Sequence, residues 1–288
     1  MIEPRHPLAV GVVADHYQEL DRFYREIWGE HVHHGLWWTG RESPAEAVNQ
    51  LVQFVADQAM VRPGDRVCDI GSGYGASARY MVKHFGANVT ALTIVPAQQA
   101  YAEATAPGEG NPHYLLRDWF DNGLPTASFD VAYAIESTEH MGDKARAFSE
   151  AYRVLRPGGR LVVCAWIAAE SARPWERRHL LEPICHEGRL TGMGTEIDYR
   201  GLLGGAGFMV EGIADISREV RGTWGICLRE AVRRIWTDPP ARAFLLRAAS
   251  RNRIFLLTMA RIWLAYRTGA MRYLVYCARR PDAPGPNP

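Results

Sequence analysis

At 288 residues, with 47% hydrophobic and 23% charged side chains, the chain can bury one substantial α/β core plus an appendage, and only 281–288 has the composition of a disordered tail. Five cysteines (Cys68, Cys164, Cys185, Cys227, Cys277) without Cys-x-x-Cys spacing exclude a disulfide framework and read as reduced core residues of a cytoplasmic protein. The net charge of +1 hides an asymmetry: residues 216–280 hold fourteen arginines against Glu219, Glu230 and Asp238, while Lys83 and Lys144 are the only lysines.

The amino terminus lacks the apolar run of a secretory signal. The longest apolar stretch, 254–266, is interrupted by Thr258 and Arg261 and falls short of the about 20 residues of a spanning helix, so no membrane span is expected. Residues 14–30 place Tyr17, Leu20, Phe23, Tyr24 and Ile27 at helical spacing, which predicts a helix covering one face of a sheet. The run Trp28-Gly29-Glu30-His31-Val32-His33-His34-Gly35-Leu36-Trp37-Trp38 follows. No cysteine or carboxylate set completes a metal site beside its histidines, so no metal is expected. Ser43-Pro44-Ala45-Glu46 starts a helix, with a serine cap, proline at the first helical position and glutamate three residues after the cap. Val48, Leu51, Val52, Val55 and Ala59 give it an apolar face, and Pro63-Gly64 ends it.

The run from Arg66 to Gly75 reads as a buried parallel strand entering a glycine-rich turn and then a helix beginning near Ala76. Gly71, Gly73 and Gly75 let the backbone turn sharply and expose main-chain N–H groups to a ligand, with the positive end of the helix behind them. The spacing is neither the Gly-x-Gly-x-x-Gly of dinucleotide sites nor a phosphate loop with Gly-Lys-Ser/Thr. Asp69, directly before the turn, would repel a pyrophosphate but accept a hydrogen bond from the ammonium of an amino-acid moiety, which points to S-adenosylmethionine. Asp69-x-Gly71-x-Gly73-x-Gly75 also resembles the first cofactor motif of the class I S-adenosylmethionine-dependent methyltransferases.

Beyond the turn, strands and helices alternate at the spacing of a doubly wound sheet. Strands are predicted at 88–93, 113–117, 129–136 and 160–166, with helices at 95–105 and 143–155. Ligands of such sheets sit at the carboxyl ends of the strands, so the polar residues there are the candidates. At the end of strand two the family commonly places an acid on the ribose. This chain instead has Thr93-Ile94-Val95-Pro96-Ala97-Gln98, which resembles the tocopherol methyltransferase and cyclopropane synthase branches, where threonine and glutamine serve the ribose. Asp118-Trp119 fits an adenine clamp, the carboxylate accepting from the exocyclic amine and the indole covering the ring.

The amino-terminal segment, His16-Tyr17 with Tyr24-Arg25-x-Ile27-Trp28-Gly29 and His33-His34-Gly35, is similar to the lid that closes over the cofactor in tocopherol and related small-molecule methyltransferases. That resemblance implies Tyr17 and His34 on the cofactor carboxylate, and Trp37 excluding water. The strand-four end, Glu136-Ser137-Thr138-Glu139-His140-Met141, is where chemistry is expected. Glu136 is assigned to the cofactor and His140 to a general base, since its ordinary pKa suits that role. Demethylrebeccamycin methyltransferase-like enzymes carry a histidine pair here, and in cyclopropane synthases a glutamate aligns with Glu139. Glu170, shortly after strand five, is a third catalytic candidate.

Helices are predicted at 175–187 and 195–205, strand six at 208–216, a helical insertion at 223–266 and a returning antiparallel strand seven at 272–277. The insertion would lie beside the transfer pocket, lined by Trp224, Trp236, Phe244, Phe255, Met259, Trp263 and Tyr266. The fold expected is therefore a class I, Rossmann-like α/β sheet. It divides into an amino-terminal lid (1–60), a cofactor-binding core (61–216 and 271–280), an acceptor-binding cap (217–270) and the tail (281–288). The expected function is methyl transfer to oxygen or carbon of a hydrophobic small molecule in natural-product biosynthesis, its acceptor bearing a carboxylate or phosphate if the cap arginines anchor it. Those arginines can equally pair with the acidic remainder of the chain or of a second subunit in a homo-oligomer. A cofactor-binding cyclase of the same fold would leave these motifs unchanged. An RNA methyltransferase would require basic residues around the pocket and interleaved aromatics; the basic segment alone supports it, without a separate RNA-binding module or base-recognition motif, so no nucleic-acid partner is expected.

Overall fold

The computed structural model describes residues 1–2, 29–106, 108, 110–239 and 252–282. Residues 14–28 of the helix expected over 14–30, with Tyr17, as well as Phe244, the side chains of Arg253 and Phe255, and the tail from 283 onward lie outside the described residues, and Gly29 and Glu30 form a turn. Seven strands form one sheet in the order β3-β2-β1-β4-β5-β7-β6. They are β1 (Arg66–Ile70), β2 (Asn88–Thr93), β3 (His113–Leu116), β4 (Phe129–Ile135), β5 (Leu155–Ala168), β6 (Met209–Asp215) and β7 (Met271–Arg279). Strands β1 to β5 pair in parallel, and β7 runs antiparallel between β5 and β6. This is the expected doubly wound sheet with its antiparallel last strand. Its order reverses between β1 and β4, the switch point at which such sheets open a crevice.

Burial on both faces explains the sequence of β1. Val67 joins the core under α1 (Pro44–Ala59) and α2 (Ala76–Phe85), whereas Cys68 and Ile70 join the opposite core. That second core receives Ala147 and Phe148 of α4 (Lys144–Val154) and Tyr199 and Leu203 of α5 (Glu196–Gly205), after α3 (Pro96–Ala104) has crossed between β2 and β3. Helix α1 starts as its sequence requires. The Ser43 hydroxyl accepts from Glu46 N–H at 3.3 Å, and the Glu46 carboxylate accepts from Ser43 N–H at 2.7 Å. All five cysteines are buried with free thiols.

Two predicted boundaries shift for physical reasons. Strand β5 begins at Leu155 rather than Arg160, because Leu155 pairs with Phe129 and the glycines of the turn exchange backbone hydrogen bonds with Arg280. The helix predicted over 175–187 is broken into Pro174–Glu176, a π-helical turn Arg177–Leu181, and Glu182–Glu187. Pro183 has no N–H to continue an α-helical ladder there.

After β6 comes a short turn of helix, Ser217–Val220, then α6 (Gly222–Thr237) and α7 (Asn252–Thr268). Several of their arginines pair within the chain: Arg233 and Arg234 with Glu230, Arg261 with Glu187, and beyond α7 Arg272 with Asp215 and Glu196. Such partly exposed pairs contribute about 0–1 kcal/mol each, so they fix geometry more than stability. No helix among the described residues is long and apolar enough to cross a membrane.

The glycine turn is set by contacts as well as by conformation. Gly75 has φ +74°, and a Cβ there would lie 2.5 Å from Cε1 of Tyr114. Gly75→Ala combines left-handed backbone with overpacking, so we expect a stability loss of about 2 kcal/mol or more, read from the midpoint of urea unfolding.

Candidate active site

A cleft of about 910 Å³, counting its open mouth, lies at the carboxyl ends of β1, β2 and β4. Gly71, Gly73, Thr93, Ile94, Gln98, Asp118, Trp119, Glu136 and His140 all line it. A second hollow of about 330 Å³ is lined by Asp69, Ser72, Ser77, His31 and His33. The two share Val32, Gly71, Gly73 and Ile135, so they are two ends of one site. Gly73 shows why the turn is bare: nothing lies within 4 Å of the position a Cβ would take, so its backbone faces open cleft. At Gly71 an added Cβ would instead lie 2.5 Å from Ser137 Cβ, and the Ser137 hydroxyl donates to the Ile70 carbonyl, locking the ends of β1 and β4 together.

The polar atoms are sorted by whether the protein already satisfies them. Asp69 is 3% exposed, and its Oδ2 has no hydrogen-bond partner; the Ser72 hydroxyl is likewise buried without one. Unsatisfied buried acceptors are expensive, and here they converge on the smaller hollow, where a ligand ammonium would satisfy the carboxylate. Burial pushes the Asp69 carboxyl up to about 7. At the other end the Thr93 hydroxyl donates to Gln98 Oε1 at 2.8 Å, which turns the amide so that its NH₂ group is the part left to donate to a ligand. Asp118 caps the following 3₁₀ turn, Oδ1 accepting from Phe120 N–H at 2.9 Å. The Trp119 indole N–H donates to the Ala147 carbonyl at 3.0 Å, so the ring is both a cleft wall and a core aromatic.

Several expected site residues are placed elsewhere. His34 does not line the cleft. It is 1% exposed, with Nδ1 3.0 Å from Glu136 Oε1 and Nε2 2.6 Å from the Trp224 indole nitrogen, so it is turned away from the cofactor end. His31 and His33 line the smaller hollow in its place, joined Nδ1 to Nε2 at 3.0 Å. The Glu136 carboxylate accepts from four protein donors: His34 N–H, His34 Nδ1, the Tyr273 hydroxyl and the Trp166 indole. Its side chain is thereby committed to the protein, and Glu136 meets the cleft as wall rather than as a free ligand group.

Glu139 is buried beneath the loop, where it accepts from Trp166 N–H at 2.7 Å. Burial pushes its carboxyl up and the neighbouring Lys144 ammonium down. Lys144 and Thr191 hold the loop from below through the Met141 carbonyl, so Glu139 belongs to the loop's support. Glu170 is not brought to the cleft at all. Strand β5 runs on to Ala168, and the turn after it sends Glu170 toward α5, where it accepts from Ile197 N–H.

His140 does reach the cleft, with Nδ1 3.1 Å from the Arg189 carbonyl. A carbonyl can only accept, so Nδ1 carries the hydrogen and Nε2 is the basic nitrogen. Burial, aided by the Lys144 charge, lowers its pKa to about 4, making it a weaker base than its ordinary value implies. Among the residues expected to line the transfer pocket, Trp224 and Tyr266 surround His34, Met259 is core, Trp236 is exposed, and Trp263 lies under the Arg267 guanidinium. Trp166 and Tyr273 escaped sequence reasoning, although both lie toward the ligand edge of the sheet, on β5 and on the antiparallel β7.

Asp69 generates a pH prediction. In the empty protein its raised pKa means a contribution to stability that is full below about 4 and is lost as pH rises through about 7. A bound ammonium reverses this, because it requires the ionised carboxylate. Calorimetry should show S-adenosylhomocysteine binding tighten from about pH 5 to 7 as the Asp69 carboxylate ionises. Asp69→Asn should remove the rising limb and weaken binding by about 10-fold or more.

Comparison with known proteins agrees with the geometry. Residues 68–163 match the family described as "Methyltransferase domain". The chain is 28% identical over 290 residues to the chloroplastic tocopherol O-methyltransferase of Arabidopsis thaliana, an alignment covering 93% of this chain and 82% of the relative. It is 30% identical over 229 residues to the O-methyltransferase cnsE of Penicillium expansum, covering 76% and 80%. The cyclopropane synthase MmaA2 from Mycobacterium tuberculosis shares the fold, with a TM-score of 0.81 at 18% identity over 96% of this chain and 99% of that one. A glycine turn bare toward the cleft, a desolvated aspartate awaiting a cation and these full-fold likenesses lead to one conclusion: the chain belongs to the class I S-adenosylmethionine-dependent methyltransferases, enzymes that methylate small molecules with S-adenosylmethionine as cofactor.

Proposed function

We propose that the protein transfers methyl to a hydroxyl oxygen of a neutral, hydrophobic small molecule of natural-product biosynthesis, with residues 217–270 contributing to acceptor recognition. The observation that carries this reading is the character of the cleft beside the cofactor groups: Phe120, Ile135 and Met141 are apolar, and His140 supplies one nitrogen able to accept from a hydroxyl. Two relatives covered over most of their length are named as O-methyltransferases, which favours oxygen as the acceptor atom.

The cofactor supplies a methyl group on a positively charged sulfur. The chain's residues then have to bind, orient and keep water out, and much of the rate can come from that positioning. Asp69 and Ser72 would hold the amino-acid end, Thr93 and Gln98 the ribose, and Asp118 and Trp119 the adenine. At about 4 its pKa suits His140 better to orienting a hydroxyl than to deprotonating one. Of the arginines of residues 216–280, Arg233, Arg234, Arg261, Arg272 and Arg279 pair with acidic residues of the same chain, and among the described residues none of that segment lines the cleft, where the arginine present is Arg117. This supports a neutral acceptor over the anion anchor considered from composition.

Mass spectrometry of incubations with methyl-labelled cofactor and a panel of neutral and anionic lipophilic alcohols and phenols tests the proposal. Label should appear on oxygen, preferentially in neutral acceptors, and be insensitive to Arg229→Met or Arg233→Met. Label on carbon or nitrogen, or a preference for anions, would overturn it. For His140→Ala we expect about a 10-fold rise in acceptor KM with cofactor affinity within about 3-fold, as for a lost hydrogen bond. A fall in kcat of about 10² or more would instead make His140 the base.

A further inference from the structure

The part of the molecule that the cofactor cleft leaves unexplained is the outer side of α6 and α7. Their inner sides are core: Trp224, Cys227 and Ala231 of α6 and Met259, Ile262 and Tyr266 of α7 are buried in one cluster. The outer side of α6 carries Arg229, Val232, Arg233 and Trp236, spaced three and four residues apart and so in one stripe along the helix. The outer side of α7 carries Leu257, Trp263, Leu264 and Arg267 within a similar arc. Each of these side chains is exposed, Trp236 at 81% and Leu257 at 50%.

Contacts between the helices make the two stripes one surface. They pack against each other, and the Trp263 ring reaches across to α6: a Cβ at Gly225, one turn before Arg229, would lie 3.7 Å from Trp263 Cδ1. The Arg267 guanidinium sits 4.8 Å from the centre of the same ring. Neither stripe holds an acidic residue, and Glu230, at the side of α6, is taken by Arg233 and Arg234. Residues 217–270 carry eleven arginines against Glu219, Glu230 and Asp238, in a chain whose net charge is only +1. The surface therefore interleaves indoles and aliphatic side chains with uncompensated guanidinium groups. Indoles favour the boundary between apolar and wet surroundings, and arginine stems lie on apolar surface while their heads reach for anions. A protein partner would call for an apolar centre with a polar rim. Interleaving suits a lipid surface, where acyl chain and phosphate lie side by side at every point.

We propose that the outer face of α6 and α7 docks on the surface of an anionic lipid bilayer, with Trp236 and Trp263 entering the headgroup layer and Arg229 and Arg267 meeting lipid phosphates. Docking of this kind needs no spanning helix, in keeping with the absence of one among the described residues. It stands on the composition of the face alone. Its use rests on the reading of a neutral, hydrophobic acceptor: such a molecule partitions into a bilayer, and a cap docked there collects it from the lipid rather than from water.

The test is cosedimentation of the full chain, with S-adenosylhomocysteine present, with vesicles of phosphatidylcholine alone or mixed with phosphatidylglycerol. We expect binding about 10-fold or more tighter to the anionic vesicles, weakened about 5-fold by Arg229→Gln and about 10-fold by Trp236→Ala. Ile197→Ser is the control: Ile197 is 70% exposed on α5, which covers the opposite core, and its loss should leave vesicle binding unchanged. The S-adenosylhomocysteine dissociation constant should stay within about 3-fold in all three variants, as expected of surface changes that leave the fold intact. Lipids with brominated acyl chains should quench tryptophan emission in the wild type and less in Trp236→Ala. No binding to anionic vesicles would overturn the proposal. So would binding that is lost in high salt but indifferent to Trp236→Ala, which would make the face a site for a polyanion such as nucleic acid. A dimer dispersed by Trp236→Ala, in protein that ignores vesicles, would assign the face to a second copy of the chain and overturn it as well. Vesicle binding does not depend on turnover, so its failure leaves the O-methylation reading standing, and failure of the alcohol and phenol panel leaves the docking standing.

Discussion

The Glu136 carboxylate is the constraint on which the arrangement of this molecule depends. Taken out of water, it must find its hydrogen bonds in the protein, and leaving even one buried polar group unsatisfied costs about 1–3 kcal/mol. Its donors come from His34, Trp166 and Tyr273, so one side chain joins the amino-terminal strap, the middle of the sheet and the returning strand. His34 extends the connection to α6 and α7 through Trp224 and Tyr266. The strap, residues 34–37, is held alongside by two backbone hydrogen bonds, Leu36 N–H to the Ala47 carbonyl and Trp37 N–H to the Glu219 carbonyl, and by Gly35 N–H donating to the Thr223 hydroxyl. Cofactor cleft and cap are therefore not independent, because both rest on the same buried carboxylate.

What the sequence disclosed follows the range of the interactions involved. The capping box of α1, the glycine turn and the alternation of strand and helix are set by residues a few positions apart, and each lies where its local chemistry places it. The hub around His34 joins residues separated by 102, 137, 190 and 232 positions, and no local pattern marks such pairs. His34 was accordingly assigned to the cofactor and Glu136 to a free ligand role, when each is occupied with the other. Glu170 was misplaced because the length of β5 decides where its turn points. Part of the arginine cluster likewise meets partners invisible in composition, such as Glu187 for Arg261 and Asp215 for Arg272.

Asp69 and Glu136 show how two buried carboxylates at adjacent strand ends can serve opposite ends. Each is almost wholly removed from solvent, at 3% for Asp69 and 5% for the Glu136 side chain. Burial alone pushes both upward, but in Glu136 the His34 imidazole and its N–H donors outweigh it and hold the carboxyl below its ordinary range. At Asp69 burial outweighs the one compensating group, the Tyr133 hydroxyl, and the carboxyl stays raised. The difference is legible as hydrogen bonds: Glu136 is saturated by the chain, and Asp69 Oδ2 is left over. A fold that can satisfy the first carboxylate so fully has the means to satisfy the second, and at Asp69 the missing partner is the cation of the ligand. The unfavourable state of the empty site thus becomes part of the affinity, since binding both gains a charge-assisted contact and removes a desolvation cost. Bare glycines beside Asp69 make the same point in steric terms. The chain gives up side-chain packing at Gly73, keeps it at Gly71 and Gly75, and so leaves open only the stretch of backbone that the ligand has to reach.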